Sequence, residues 1–187
     1  TYHLGTDGYG RDILSRLLFG VRVSLSVGLV AVLISLTIGI FMGSIAGYYR
    51  GTIDNIIMWF INVIWAIPTI LLAMAIRFAI GDKIPSFLAI FIAVGLSMWV
   101  EVARIVRGQV LVVREMEYIQ AARGLGFQNL RIIIKHILPN IIGPIMVIAA
   151  SDFASAILIE AGLSFVGIGV KPPTPSWGTM LNDHRAY

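Results

Sequence analysis

Residues 23–49 carry no charged side chain, and two further charge-free runs follow at 56–76 and 84–100. A helix over any of these can cross the hydrocarbon core of a bilayer, about 30 Å thick. In hydrocarbon every backbone polar group must find its partner inside the protein, so such runs fold as membrane-spanning helices. A fourth run, 137–159, is equally apolar except for Asp152. These runs exceed the roughly ten alternating residues of a barrel strand. Composition points the same way. Hydrophobic residues make up 58% and charged residues 13% of the chain, against roughly a quarter charged in soluble domains, and the mean hydropathy is +0.89. The expected fold is all-α, one polytopic transmembrane helical bundle over residues 1–187. Its four spans lie at about 23–49, 56–76, 84–100 and 137–159. Short joins run over 50–55 and 77–83, and a longer polar loop over about 101–136.

Several function classes are excluded by what the sequence lacks. There is no cysteine, hence no disulfide framework, thiolate metal site or thiol nucleophile. His3, His136 and His184 are widely spaced, without the helical pair of a zinc hydrolase, and no GxSxG nucleophile elbow occurs. No GxxxxGK[ST] phosphate loop occurs either, so the chain is not expected to bind ATP. The Gly-containing stretch at Gly8 is too short for a nucleotide motif. The expectation is no catalytic residue, no metal and no cofactor on this chain. The net charge of +4 is too diffuse for nucleic acid, and basic residues beside a membrane meet lipid headgroups.

The polar loop contains its own small element. Glu115 and Glu117 stand where a helix start favours negative charge, and Arg123 where its end favours positive charge. Gly124 and Gly126 supply a stop, because glycine accepts the left-handed conformation that closes helices. Asn129 is placed to cap a second helix, which Pro139 should end or kink. A short helix tight at its glycine end, held outside a membrane, suits a soluble partner's grip.

Gln120-Ala121-Ala122, then Gly126, then Leu138-Pro139 resemble the EAA loop of permease subunits in ATP-binding-cassette (ABC) importers, with the spacing kept throughout. Gln120 stands where that pattern has Glu, and His136 where it has Ile. Residues 4–22, LGTDGYGRDILSRLLFGVR, and 163–185, LSFVGIGVKPPTPSWGTMLNDHR, resemble the dipeptide, oligopeptide and nickel branch, in its second or C-type permease subunit. His184 departs there from an expected Gly. The resemblance covers essentially the whole chain. It implies a type I ABC importer permease-like bundle, as a fragment without the family's first and last membrane helices. It further implies a multi-pass protein of a bacterial or archaeal cytoplasmic (inner) membrane. The implied partners are a second permease subunit in a heterodimer, cytoplasmic ABC ATPase subunits carrying ATP and Mg, and an extracytoplasmic solute-binding protein. The solute would be a dipeptide, an oligopeptide or nickel. Glu117, Gln120, Ala121, Ala122, Gly126, Phe127, Leu138 and Pro139 would form the ATPase-coupling loop. A secondary transporter or channel is the alternative, and an intramembrane hydrolase a more distant one. Neither gives the EAA-like loop a task.

Basic residues do not decide orientation. With the 101–136 loop placed inside, they divide equally between the two sides, so the positive-inside rule is silent. The resemblance places that loop in the cytoplasm.

Within the spans a few residues stand out. Gly39, Gly43 and Gly47 fall four apart and bare one helix face to close approach by another helix, either in this subunit or in a partner permease. Ser24, Ser26 and Ser35 can bond back to their own helix. Pro68 should kink the second span, as a hinge or as a fixed bend, with Asn62 and Trp65 near the same cavity. Asp152 either lines the pathway or makes a structural hydrogen bond, since an ionisable group in a span avoids lipid. Glu160, at the end of its run, is expected within reach of water, lining the pathway or anchoring a loop. Pro172, Pro173 and Pro175 stiffen residues 171–177 toward an extended form.

Overall fold

The computed structural model describes residues 2–170 and 174–184, excluding the side chain of His184. Lys171, Pro172 and Pro173, with Arg185, therefore lie outside the described residues. The described residues are mostly helical: α1 Ile13–Tyr49, α2 Gly51–Trp65, α3 Thr69–Ile80, α4 Ser86–Val113, α5 Glu117–Gly124, α6 Asn129–Ile132, α7 Ile142–Phe165 and α8 Trp177–His184. Among the described residues no strand forms beyond one isolated antiparallel bridge, Thr6 with Asp12. The chain divides into two compact units. The first comprises Thr1–Ile34, Pro68–Ser97 and Asp152–Tyr187, and the second Ser35–Ile67 and Met98–Ser151.

Among the described residues three helical segments are long and apolar enough to cross a membrane: Ile13–Tyr49, Ser86–Val113 and Asn129–Phe165; the broken pair α2 and α3 supplies a fourth if counted as one span. The first span ends at Tyr49 as the hydropathy reading has it, but the other boundaries differ. α1 starts before residue 23 and carries Arg16 and Arg22, because helical hydrogen bonding continues beyond the lipid core where charge is tolerated. α4 likewise runs past residue 100 to Val113, so much of the expected 101–136 loop is helix. Within that stretch the non-helical joins are the turn after Val113 and the segment between Gly124 and Asn129.

The run 56–76 is not a kinked helix but two helices. α2 ends at Trp65, with Ala66 still in the α region; Pro68 is extended (φ −54°, ψ 130°) and its carbonyl starts α3 by accepting from the Leu72 N–H. Proline lacks a donor and drives its predecessor Ile67 from the helical region, so two residues leave the helix rather than one. The expected polar join 50–55 shrinks to Arg50, at φ 56° and ψ −166°, before α2 begins at Gly51. That backbone region is normally left to glycine, and Arg50 is held there with an ion pair to Glu115 at 2.9 Å.

Pro139 does not end its helix. α6 passes into a π turn, Ile133–Ile137, a 3₁₀ turn, Leu138–Ile141, and then α7. The π register lets the Leu138 N–H reach back to the Ile133 carbonyl, and the Asn140 side chain donates to the His136 carbonyl at 2.6 Å. Such local adjustments re-satisfy the groups that a proline frees in a membrane helix.

The glycine stripe sets the packing of the second unit. A Cβ on Gly39 would stand 2.5 Å from Val102 Cβ, one on Gly43 2.5 Å from the Ala103 carbonyl oxygen, and one on Gly47 2.8 Å from the Arg107 carbonyl oxygen. α1 and α4 therefore touch backbone to backbone inside this chain. Asp54 of α2, buried, takes both Nε and Nη2 of Arg107 at 2.6 Å. That paired geometry satisfies the carboxylate where water cannot.

In the first unit, the two end motifs meet. Asp7 accepts from the Tyr9 and Arg11 backbone N–H groups at 2.9 Å and from the Arg11 and Arg16 guanidinium groups, and both arginines also reach Asp183 of α8. Beside this cluster an apolar cavity of about 550 Å³ is lined by Ile13, Leu17, Trp177, Met180 and Leu181.

Candidate functional site

The EAA-like segment folds as α5 and its exit. Glu117 lies in the first turn and Arg123 in the last, complementing the helix dipole. Ile119 is fully buried and Ala122 nearly so, while Tyr118, Gln120, Ala121 and Leu125 are exposed. The buried face joins a core built from Tyr48, Val106, Val110, Val113, Ile132, Ile137 and Ile141, with Phe127 and Leu138 packed against it. Ala122 is small because it sits between α5 and this core; Ala121 faces outward.

Gly126 closes the helix. Its φ is 76°, its N–H reaches the Arg123 carbonyl at 2.9 Å, and the Phe127 N–H reaches the Ala122 carbonyl at 3.1 Å. The pair of bonds is a Schellman motif with glycine in its left-handed position. A Cβ there would meet nothing within 4 Å, so only the backbone conformation, not crowding within the chain, requires glycine.

The two departures from the family pattern have local partners. Gln120 Nε2 donates to the Glu115 carbonyl at 3.1 Å, tying α5 to the preceding turn. His136 stacks on Phe127, ring centroids 5.8 Å apart and planes 19° from parallel, and the Arg131 guanidinium covers the same Phe127 ring at 4.5 Å. Asn129 is the first residue of α6 rather than its cap, which is Gln128. Its Oδ1 accepts from the Tyr48 hydroxyl at 2.8 Å instead.

Sequence reasoning missed Tyr48. It is buried at the end of α1; Arg123 of α5 lies over its ring at 5.2 Å, Arg114 at 5.8 Å, and Arg114 also donates to its carbonyl oxygen. The one available signal was position: an aromatic pair, Tyr48-Tyr49, directly after the glycine stripe.

Glu117, Gln120, Ala121, Ala122, Gly126, Phe127, Leu138 and Pro139 all belong to the second unit, as do Gly39, Gly43, Gly47 and Asn62. Pro68, Asp152 and Glu160 belong to the first. Asn62 and Pro68 are exposed and Asp152 is buried. Glu160 corrects its expectation: it is fully shielded from water. Helix α7 continues beyond it, and Ser24 and Ser164 donate to its carboxylate at 3.3 and 2.7 Å. Ser24 thus bonds across to α7 rather than back to α1. Ser164 Oγ also accepts the Val170 N–H at 3.1 Å, fixing the loop after α7. Among the described residues no group of three His, Asp or Glu is placed to hold a metal ion.

The chain is similar in fold to solved transporters. It matches a chain of the MetNI methionine ABC transporter in inward-facing conformations with a TM-score of 0.73 at 19% identity, over 84% of this chain and 77% of that one. An amino acid ABC transporter solved with histidines gives 0.68 at 20% identity, over 92% and 79%. Both likenesses carry the fold, a type I ABC importer permease bundle. Curated relatives include the glutathione transport system permease protein GsiD of Pectobacterium atrosepticum, 41% identical over 98% of this chain and 60% of that protein. The dipeptide transport system permease protein DppC of Bacillus subtilis is 42% identical over 96% and 55%. The oligopeptide transport system permease protein OppC of Haemophilus influenzae is 41% identical over 99% and 59%. The chain thus spans under two thirds of the length of these relatives. The model of the family described as binding-protein-dependent transport system inner membrane component matches residues 39–186, and the chain belongs to that family.

Proposed function

We propose that this chain forms half of the translocation pathway of an ATP-driven importer of dipeptides or oligopeptides. The observation that carries this reading is α5, a helix closed by Gly126 and backed by a buried core, with Leu125 exposed at its tip. It presents a rigid end to a partner. ATP and Mg reside on cytoplasmic ATPase subunits that grip α5, and hydrolysis occurs there and not on this chain. A second permease subunit completes the pathway, and an extracytoplasmic binding protein delivers the solute. The protein sits in the cytoplasmic membrane with α5 inside. Peptide is preferred to nickel because the relatives' names give dipeptide, oligopeptide and glutathione systems. ATP works by favouring one arrangement of the packed helices over another, so contacts at α5 differ between states.

The test is Gly126→Leu in the full-length permease assembled with its partners. Leucine in the left-handed region costs about 1–2 kcal/mol, and its side chain occupies the space a partner would use. Solute-stimulated ATP hydrolysis is expected to be lost while the subunits still reach the membrane. Unchanged transport would refute the coupling assignment. Orientation is tested separately, by cysteines at Gln128 and Thr174 in this cysteine-free chain. The second alone should react with an impermeant thiol reagent added outside whole cells.

A further inference from the structure

Coupling helix α5 is short, and a displacement imposed on it reaches the long helices only through whatever fixes it to them. Three segments converge on one residue. The Tyr48 ring lies under Arg123 of α5, its hydroxyl donates to Asn129 at the start of α6, and its carbonyl accepts from Arg114 in the turn between α4 and α5. Tyr48 itself is held in place, because its neighbour Gly47 presses α1 against the Arg107 backbone and the Val110 side chain of α4. Around it Val110, Val113, Ile119 and Ala122 are buried. Close-packed interiors transmit strain rather than absorb it. The Tyr48–Asn129 bond is a polar tie of α1 to α6 that loss of a single oxygen atom removes.

We propose that Tyr48 is the positioning residue of coupling: its hydroxyl bond to Asn129, with its ring beneath Arg123, makes α5 and the ends of α1 and α4 respond as one body. This inference rests on the coupling role of α5. It assigns Tyr48 no contact with solute or ATP. The hydroxyl need not hold the fold, since the apolar ring remains buried without it and Asn129 is exposed, so water can replace the lost partner.

The experiment uses the full-length permease in the assembled transporter, reconstituted in vesicles, and measures solute moved per ATP hydrolysed at equal amounts of complex. Tyr48→Phe is expected to keep ATP hydrolysis and lower that ratio about fivefold, the factor carried by one ordinary hydrogen bond. Asn129→Leu should lower it equally, and the double variant no further, because both remove the same bond. Asn129→Asp keeps an acceptor and should preserve the ratio. A merely structural bond would change complex yield and leave the ratio alone. A wild-type ratio in Tyr48→Phe, or in Asn129→Leu should the first variant fail to assemble, overturns the proposal. Gly126→Leu is run beside them. If it too transports normally, the coupling reading itself has failed; if it is uncoupled while Tyr48→Phe is not, only the role of Tyr48 has.

Discussion

Replacing Gly43 by alanine adds one methyl group where none fits. The new Cβ would stand 2.5 Å from the Ala103 carbonyl oxygen, 2.9 Å from Val106 Cβ and 3.1 Å from the Arg107 backbone nitrogen. Two of those three atoms are backbone of α4, which cannot rotate aside, so α1 and α4 must separate. Overpacking of this kind costs about 1–3 kcal/mol, and separation also loosens the contacts at Gly39 and Gly47. Against this stands a gain of roughly 0.5–1 kcal/mol, because alanine is the better helix former. The net expectation is a loss of roughly 0–2.5 kcal/mol, centred near 1, the difference of those two estimates. Gly108 supplies the control. It lies inside α4, is exposed, and a Cβ there meets nothing within 4 Å, so Gly108→Ala should gain the propensity term alone. The assay is unfolding of the purified full-length permease in mixed micelles, followed by helical circular dichroism. The two variants should move in opposite directions. Gly43→Ala as stable as Gly108→Ala would refute the claim that backbone contact between α1 and α4 dictates glycine there.

Two further outcomes follow from buried carboxylates. Burial would raise the pKa of Asp7, but hydrogen bonds from the Arg11 N–H and guanidinium, the Tyr9 N–H and Arg16 outweigh it and hold the carboxyl well below the usual range. A depressed folded pKa gives stability fully present above the unfolded value, near 4, and lost only as pH falls through the lower folded value. The segment 2–12 should therefore resist protease from neutral pH down to about 4 and open only in stronger acid; opening at pH 6 would contradict the cluster. At Glu160, Gln still offers Ser24 and Ser164 a partner and should assemble normally. Leu strands two buried hydroxyl groups at about 1–3 kcal/mol each and should lower the yield of folded protein. A fully assembled Glu160→Leu would sink the assignment.

The charge-free runs made the helices legible because lipid and helix demand the same thing of those residues. The helix ends were not legible, because a helix entering water keeps its hydrogen bonds while its side chains turn polar. Arg16 and Arg22 in α1 and Arg104 and Arg107 in α4 look like loop charges to a hydropathy count and lie on helices. Gly126 was readable because its role is local: a left-handed residue three positions past Arg123. Asn129 and Glu160 were misread for the opposite reason. Each has local chemistry that suggests a cap or a wetted end, yet each is claimed by a side chain far along the chain, Tyr48 or Ser24. No spacing rule predicts such pairs, because they depend on which helices become neighbours.

That contrast explains how the EAA-like segment tolerates its two departures. What the geometry demands of the pattern is shape: a small Ala122 against the core, a left-handed Gly126, and a proline whose missing donor is absorbed by a π turn. Charge at position 120 is not among those demands. Gln120 is exposed, and its amide donates to the Glu115 carbonyl, which a carboxylate could not do. Nor does position 136 need a branched aliphatic chain, since a flat imidazole stacks on Phe127, whose ring also takes the Arg131 guanidinium. Reverting Gln120 to Glu would trade a bond to the turn for a negative charge in the middle of α5. Because the bond is exposed, the effect on folding should be small. Any larger effect would then have to arise from what the exposed face of α5 meets.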